Sequence, residues 1–140
     1  MASGQTEHFG LNQWNAEDKV LREEFNRDNA KIDEMLKTIP QLVFGTYTGD
    51  GQATRTIELD FTPSALYVVA SDGTPFRHIG GTSQHCGGLI FWGEPALDTF
   101  KKRAFLEICE NGFRVAYNVD YSIYLCTNQP DEKYHYIALR

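Results

Sequence analysis

The chain of 140 residues has no stretch approaching the roughly 18 consecutive apolar residues that a membrane-spanning helix needs, so insertion in a membrane is not expected. Its opening, "MASGQTEHFG", has neither a basic start nor an apolar run, and no signal peptide is read there. Cysteine is scarce: Cys86, Cys109 and Cys126 are an odd number in a chain without a visible leader. That excludes a disulfide framework and favours free thiols and synthesis in cytoplasm. Clustered positive charge is also missing. The net charge is −6, and the "KKR" at 101–103 is too short to hold a phosphate backbone, which sets nucleic acid aside as a partner.

The motifs of common chemistry are absent too. No CxxC, HxH or HExxH spacing occurs, so neither a metal nor any other cofactor is expected. "GDG" lacks the helix and lysine of a phosphate loop, and "IGGTS" has no GxGxxG frame. The most provocative segment, "SQHCGGLIFW" at 83–92, sets His85 beside Cys86. A nucleophile needs its base within hydrogen-bond reach, and neighbours along a strand point to opposite faces, so adjacency argues against a dyad. "HCGGLI" echoes a segment of chymotrypsin-like proteases, but "GDSGG" is missing. Glu58 and Asp60 sit two apart near a strand end, where a solvated face explains them. No enzymatic activity is expected.

What is present is enough apolar and aromatic character, 41% and 13%, for one core plus an appended helix. Residues 15–37 contain neither Gly nor Pro, and "NAED" offers Asn15 as an N-cap with Asp18 three residues on. Alternate steps of four and three from Trp14 give Trp14, Asp18, Leu21, Phe25, Asp28, Ile32, Met35 and Ile39, mostly apolar against otherwise charged faces. The plain reading is an amphipathic helix lying on its own domain. The narrow seam favours self-association instead, through Leu21, Phe25, Asp28, Ile32, Met35 and Ile39, with Asp28 and Asn29 able to fix register. Pro40 ends this pattern. Beyond it come strand-like runs: "LVFGTYT" and "TRTIELDF" around the turn at 49–51, "ALYVVAS", "GGLIFW", then "AFLEIC" and "FRVAYN" around Asn111-Gly112, and finally "YSIYLC" and "KYHYIALR". The expected fold is mainly β: an antiparallel β-sandwich or jelly-roll-like domain at 39–140, after an arm at 1–14 and a short coiled-coil helix at 15–38.

Two aromatic-polar stretches are candidate binding surfaces. One is "YNVDYSIY", with Tyr117, Asn118, Asp120, Tyr121, Ser122 and Tyr124; the other is the loop 72–84, with Phe76, Arg77 and His78. Tyrosine and asparagine supply flat stacking faces and adaptable hydrogen bonds suited to a sugar or protein. Half-buried sheet tyrosines are the plainer account of the first stretch.

"FGLNQWNAEDKVLREEFNRDNAKID" and "GTYTGDGQATRTIELDFTPSALYV" resemble small tail-fibre or receptor-binding type proteins from tail modules of phages and prophages of Gram-positive bacteria, as do "NGFRV" and the closing "YHYIALR". Asp60 and Ser64 depart from that pattern, and 72–104 follows none of it. The resemblance implies a homotrimer in a virion tail, contacting other tail proteins and a bacterial surface glycan or protein. A tail joint or cap without a ligand, or a hydrolase of cell-wall polymer, are the alternatives.

Overall fold

A computed structural model describes residues 1–120 and 123–140. Strands hold 46% of the chain and helix 12%, so the molecule is mainly β. It divides into two units, Met1–Pro40 and Gln41–Arg140.

The first unit contains β1 (Gly4–Gln5), β2 (Asn12–Gln13) and α1 (Arg22–Thr38), the two short strands pairing antiparallel. The N-cap is Leu21, six residues beyond the Asn15 that the capping pattern predicts. Asp18 accepts from the Asn15 N–H at 2.8 Å, but it also takes the Ser3 N–H at 3.1 Å and the Ser3 hydroxyl, so this would-be cap closes a turn onto the N-terminal arm. Leu21 caps α1 without a side-chain bond. Trp14, Asp18 and Leu21 therefore lie outside the helix, as does Ile39, its extended C-cap at the other end, and the expected seam is shortened at both ends.

The arm rewrites the rest of that seam. Glu24 and Asp28 are the buried residues of α1. Asp28 accepts from the Asn12 N–H at 2.8 Å and its side-chain amide at 3.0 Å, while Glu24 takes the Ala2 N–H and the Trp14 indole, each at 3.1 Å. Lys31 reaches the Gly10 carbonyl. Asp28 thus answers groups of its own chain, and Met35 on the same side is half-buried.

The second unit carries β3 (Leu42–Thr48), β4 (Thr54–Glu58), β5 (Ala65–Ala70), β6 (Phe76–Ile79), β7 (Thr82–His85), β8 (Gly88–Phe91), β9 (Ala96–Leu97), β10 (Ala104–Cys109), β11 (Gly112–Asp120), β12 (Ile123–Cys126) and β13 (Lys133–Leu139). One sheet runs β3-β13-β5-β8; the other runs β6-β7-β12-β11-β10-β9, with β4 also on β11. Pairing is antiparallel except between β7 and β12, which run parallel. The Asn-Gly signal holds: β10 and β11 form a hairpin closed by the pair Cys109 and Gly112, with Asn111 at φ 57°.

Two expectations fail here. Residues 49–51 do not close a hairpin, because β3 pairs with β13 and β4 with β11. The turn is instead bound to the segment 128–132: the Gly49 N–H donates to Glu132 at 2.8 Å, the Gly51 N–H to Asn128 at 3.0 Å, and the buried Asn128 amide donates to Asp50 at 2.7 Å. A Cβ on Gly49 would come within 2.0 Å of the Gln129 carbonyl oxygen, which is why glycine stands there. The region read as a loop at 72–84 holds the hairpin β6–β7. Its two-residue turn, Gly80 at φ 57° and Gly81 at φ 84°, lies in the left-handed region that matches the twist of paired strands.

Both large sheets contribute to one core. Tyr47 of β3 stacks on Tyr134 of β13 at 4.9 Å and meets Phe113 of β11 edge-on at 5.9 Å, and Phe113 meets Tyr136 at 5.2 Å. The Tyr134 hydroxyl, fully buried, donates to the Cys126 carbonyl and accepts from the Gln129 N–H at 3.2 Å. Tyr47 donates to the Thr127 carbonyl at 2.6 Å, so the polar ends of both rings are satisfied.

Candidate functional site

Directly opposed residues of paired strands share a face, which sorts the candidate positions. Tyr117 opposes Cys126 and Val119 opposes Tyr124, whereas Asn118 opposes Leu125 and Asp120 opposes Ile123. Across β12 and β7, Leu125 faces His85; across β7 and β6, His85 faces Phe76 and Ser83 faces His78. Phe76, His78, His85, Asn118 and Asp120 therefore lie on one face. Tyr117, Tyr124 and Arg77 lie on the other, where Tyr124 packs against buried residues; neither face is wholly core or wholly surface, since Leu125 of the first is buried and Val119 of the second is exposed. Tyr121 and Ser122 fall outside the described residues.

The first face carries an aromatic row. Phe76, 48% exposed, meets His85 edge-on at 5.4 Å, and His85 stacks on Phe105 at 4.7 Å. Burial pushes the His85 imidazole below its ordinary value, against a weaker upward pull from the Asp98 carboxylate, so the ring is a neutral stacking surface near pH 7. His78 stands exposed at 3.5 Å from the Ser83 hydroxyl.

A charged rim lies beside the row, built by the loop between β9 and β10. Asp98 is fully buried and accepts from the N–H groups of Phe100 at 3.0 Å, Lys101 at 2.7 Å and Arg103 at 3.0 Å, as well as from Arg103 Nε at 2.9 Å. Burial alone would raise its carboxyl, but these donors prevail and hold it far below the usual carboxylate range. Fixed in this way, Arg103 reaches out to Asn118 at 2.9 Å and Asp120 at 3.4 Å, and Lys101 also pairs with Asp120. Asn118 and Asp120, expected as adaptable ligand groups, are thus already oriented by two cations. This network, with Phe105 and His85, escapes sequence reasoning because it depends on the cross-strand register. The readable trace is Asp98 opening a short loop, as aspartates that hydrogen-bond the backbone ahead commonly do.

No protein-family model, curated protein or solved structure matches the chain.

The remaining expected residues have structural surroundings. Arg77 bridges Asp72 at 2.9 Å and Glu132 at 3.2 Å. Asp72 is held down to about 2, first by the Thr74 hydroxyl and N–H and then by Arg77. Cys86 and Cys126 are buried beside each other, and the neighbouring thiol together with burial pushes Cys126 far up. His85, half-buried, stacks on the buried Phe105, while Cys86 is fully buried beside Cys126, so the two neighbours have separate surroundings. Among the described residues no three His, Cys, Asp or Glu side chains are grouped to hold a metal ion.

A second surface stands out on the sheet β3-β13-β5-β8. Its outward residues include Phe44 at 69% exposure, Leu42, Tyr67, Leu89 and Phe91, around a depression of about 430 Å³ floored by Thr46, His135 and Ile137. Exposed apolar residues gathered on one sheet face are a common property of interaction surfaces.

Proposed function

We propose that the protein is a non-enzymatic virion component of the tail-fibre or receptor-binding type, whose β-unit binds a bacterial surface glycan. In this reading the two sheets are the halves of a β-sandwich, and α1 belongs to a short trimeric coiled coil. The observation that carries the binding role is the pair Phe76 and His85, the latter backed by the buried Phe105, beside the rim of Arg103, Asn118 and Asp120. Sugars are recognised by flat apolar faces under their C–H groups together with oriented donors and acceptors for their hydroxyls, and this face offers both. Three weak sites on one stalk would gain through effective concentration what each lacks alone.

The test is binding of the intact protein to an array of bacterial cell-wall glycans and to whole Gram-positive cells, beside Phe76→Ala. Retention of the wild type on a subset of glycans, with at least a tenfold loss for Phe76→Ala, is expected. Absence of wild-type binding, or undiminished binding by the variant, refutes the role.

The apolar face around Phe44 and Leu89 favours a second reading, a tail joint whose work is contact with neighbouring tail proteins. That reading gives no glycan binding but a strong loss of particle assembly on Phe44→Asp. A hydrolase has less to support it: Asp98 is fully buried and its oxygens are committed to N–H donors, so it has no proton to offer a leaving group.

A further inference from the structure

Cysteines that build no framework can still meet in pairs. In the parallel ladder of β7 and β12, Ser83 stands beside Ile123, Gln84 beside Tyr124 and His85 beside Leu125, so the next position in register sets Cys86 beside Cys126. Both are buried, and their thiols lie within hydrogen-bond reach of each other. Neighbouring strands run about 4.8 Å apart, inside the roughly 4.4–6.8 Å between Cα atoms that a disulfide spans. The backbone on both sides is held. The Cys86 N–H donates to the Pro75 carbonyl at 2.8 Å, and the Cys126 carbonyl accepts the Tyr134 hydroxyl. A Cβ on Gly87 would come within 2.0 Å of the Val68 carbonyl oxygen, so the chain leaving Cys86 is pressed against β5. Cys109 cannot substitute for either partner: it opposes Gly112, roughly 16 Å along β11 from the Tyr117 that opposes Cys126.

We propose that Cys86 and Cys126 are a convertible pair, a dithiol where the chain is folded under reducing conditions and a disulfide that braces the hairpin β6–β7 to β12 once the protein meets low-molecular-weight disulfides in an oxidising medium. The Cys86 thiolate attacks one sulfur of the small disulfide, forms a mixed disulfide and expels one small thiolate, which takes up the proton that Cys86 released. Cys126 then loses its proton, attacks the Cys86 sulfur and expels the second small thiolate, which takes up that proton. Two protein thiols are oxidised and one small disulfide is reduced to two thiols. The order follows from the surroundings: the hydrogen bond from the Cys126 thiol, helped by the Arg77 guanidinium, lowers Cys86 against its burial, whereas Cys126 is pushed up, so Cys86 supplies the thiolate. Because both sulfurs are buried, attack waits on local opening at this sheet edge. The bond goes beyond the tail-protein reading, which supplies only a setting: a virion component folds in cytoplasm and works outside the cell. Since the hairpin carries Phe76 and His85, the brace would fix the platform of the proposed binding face.

The test incubates the full-length protein with reduced and oxidised glutathione in urea below the unfolding midpoint, which lets the edge open while the fold persists, followed by acid quench and alkylation. The expected product is lighter than the unalkylated reduced protein by two hydrogens once its single alkyl group, on Cys109, is subtracted, and its peptide map joins Cys86 to Cys126. Its melting temperature should exceed that of the reduced form by about 5 °C or more, a gain that dithiothreitol removes. Cys109→Ser should form the same link and Cys126→Ser should not, with circular dichroism showing both variants folded. A product with three free thiols, with glutathione adducts alone, or linked through Cys109 overturns the proposal, as does an oxidised form that melts no higher than the reduced one. Phe76→Ala should still form the bond, so loss of glycan binding and loss of the link are read separately.

Discussion

Replacing Asp98 by asparagine isolates the buried ion pair without changing its shape. Asp98 Oδ1 receives the N–H groups of Phe100 and Lys101, and an amide oxygen can keep both. Oδ2 receives the Arg103 N–H and the Arg103 guanidinium, and an amide nitrogen there would point donors at donors. Two charge-assisted bonds at about 1.5–3 kcal/mol each are lost, and Arg103 is left without its buried counter-charge, so the cost should reach about 3–5 kcal/mol. For a domain of this size that lowers the melting temperature by about 4–8 °C per kcal/mol, a fall of more than ten degrees by differential scanning calorimetry. The sign of the pH dependence follows from the depressed carboxyl. Its contribution is complete above the unfolded value of 3.8 and is lost as pH falls through the lower folded value. Because asparagine does not titrate, the gap between wild type and Asp98→Asn should close as pH drops from about 5 toward 2. A gap below 1 kcal/mol at pH 7, or one that is the same at pH 7 and pH 3, refutes the assignment of Asp98 as the ionised anchor of this loop.

A Cβ on Gly45 would lie 2.2 Å from the Tyr136 ring, so Gly45→Ala should cost about 1–3 kcal/mol in urea unfolding, with partial recovery in Gly45→Ala with Tyr136→Leu. Tyr134→Phe removes the partner of the Cys126 carbonyl and the Gln129 N–H inside the core; a lower urea midpoint at unchanged slope, worth about 1–3 kcal/mol, is expected, and an unshifted midpoint would show that water replaces the hydroxyl.

Local chemistry was legible where it acts alone. Asn111-Gly112 announced its hairpin, and the runs at 42–48 and 104–109 are strands with those limits. Gly80-Gly81 is an equally good hairpin signal, but the flanking "FRHI" and "TSQH" lack the alternating apolar pattern that marks strands. The capping pattern at Asn15 misled because the same carboxylate, Asp18, serves a turn when Ser3 competes for it. The stretch 117–124 is rich in tyrosine, but position parity puts Tyr117 and Tyr124 on one face and Asn118 and Asp120 on the other, and what each face meets depends on pairing partners that only the fold supplies. The rim of Asp98 and Arg103 was invisible for the same reason: its members meet Asn118 and Asp120 across 15 and 17 residues of chain.

The hairpin β6–β7 occupies the edge of its sheet and joins the other strands through the parallel ladder to β12. Its inward positions are pinned, Arg77 between Asp72 and Glu132 and the Cys86 N–H on the Pro75 carbonyl at 2.8 Å. Its His78 and its two-glycine tip are exposed. The hairpin tip is therefore a replaceable cartridge: turns of other lengths, and other side chains at His78, can be grafted between Arg77 and Gln84 while Phe76 and His85 stay paired beneath them.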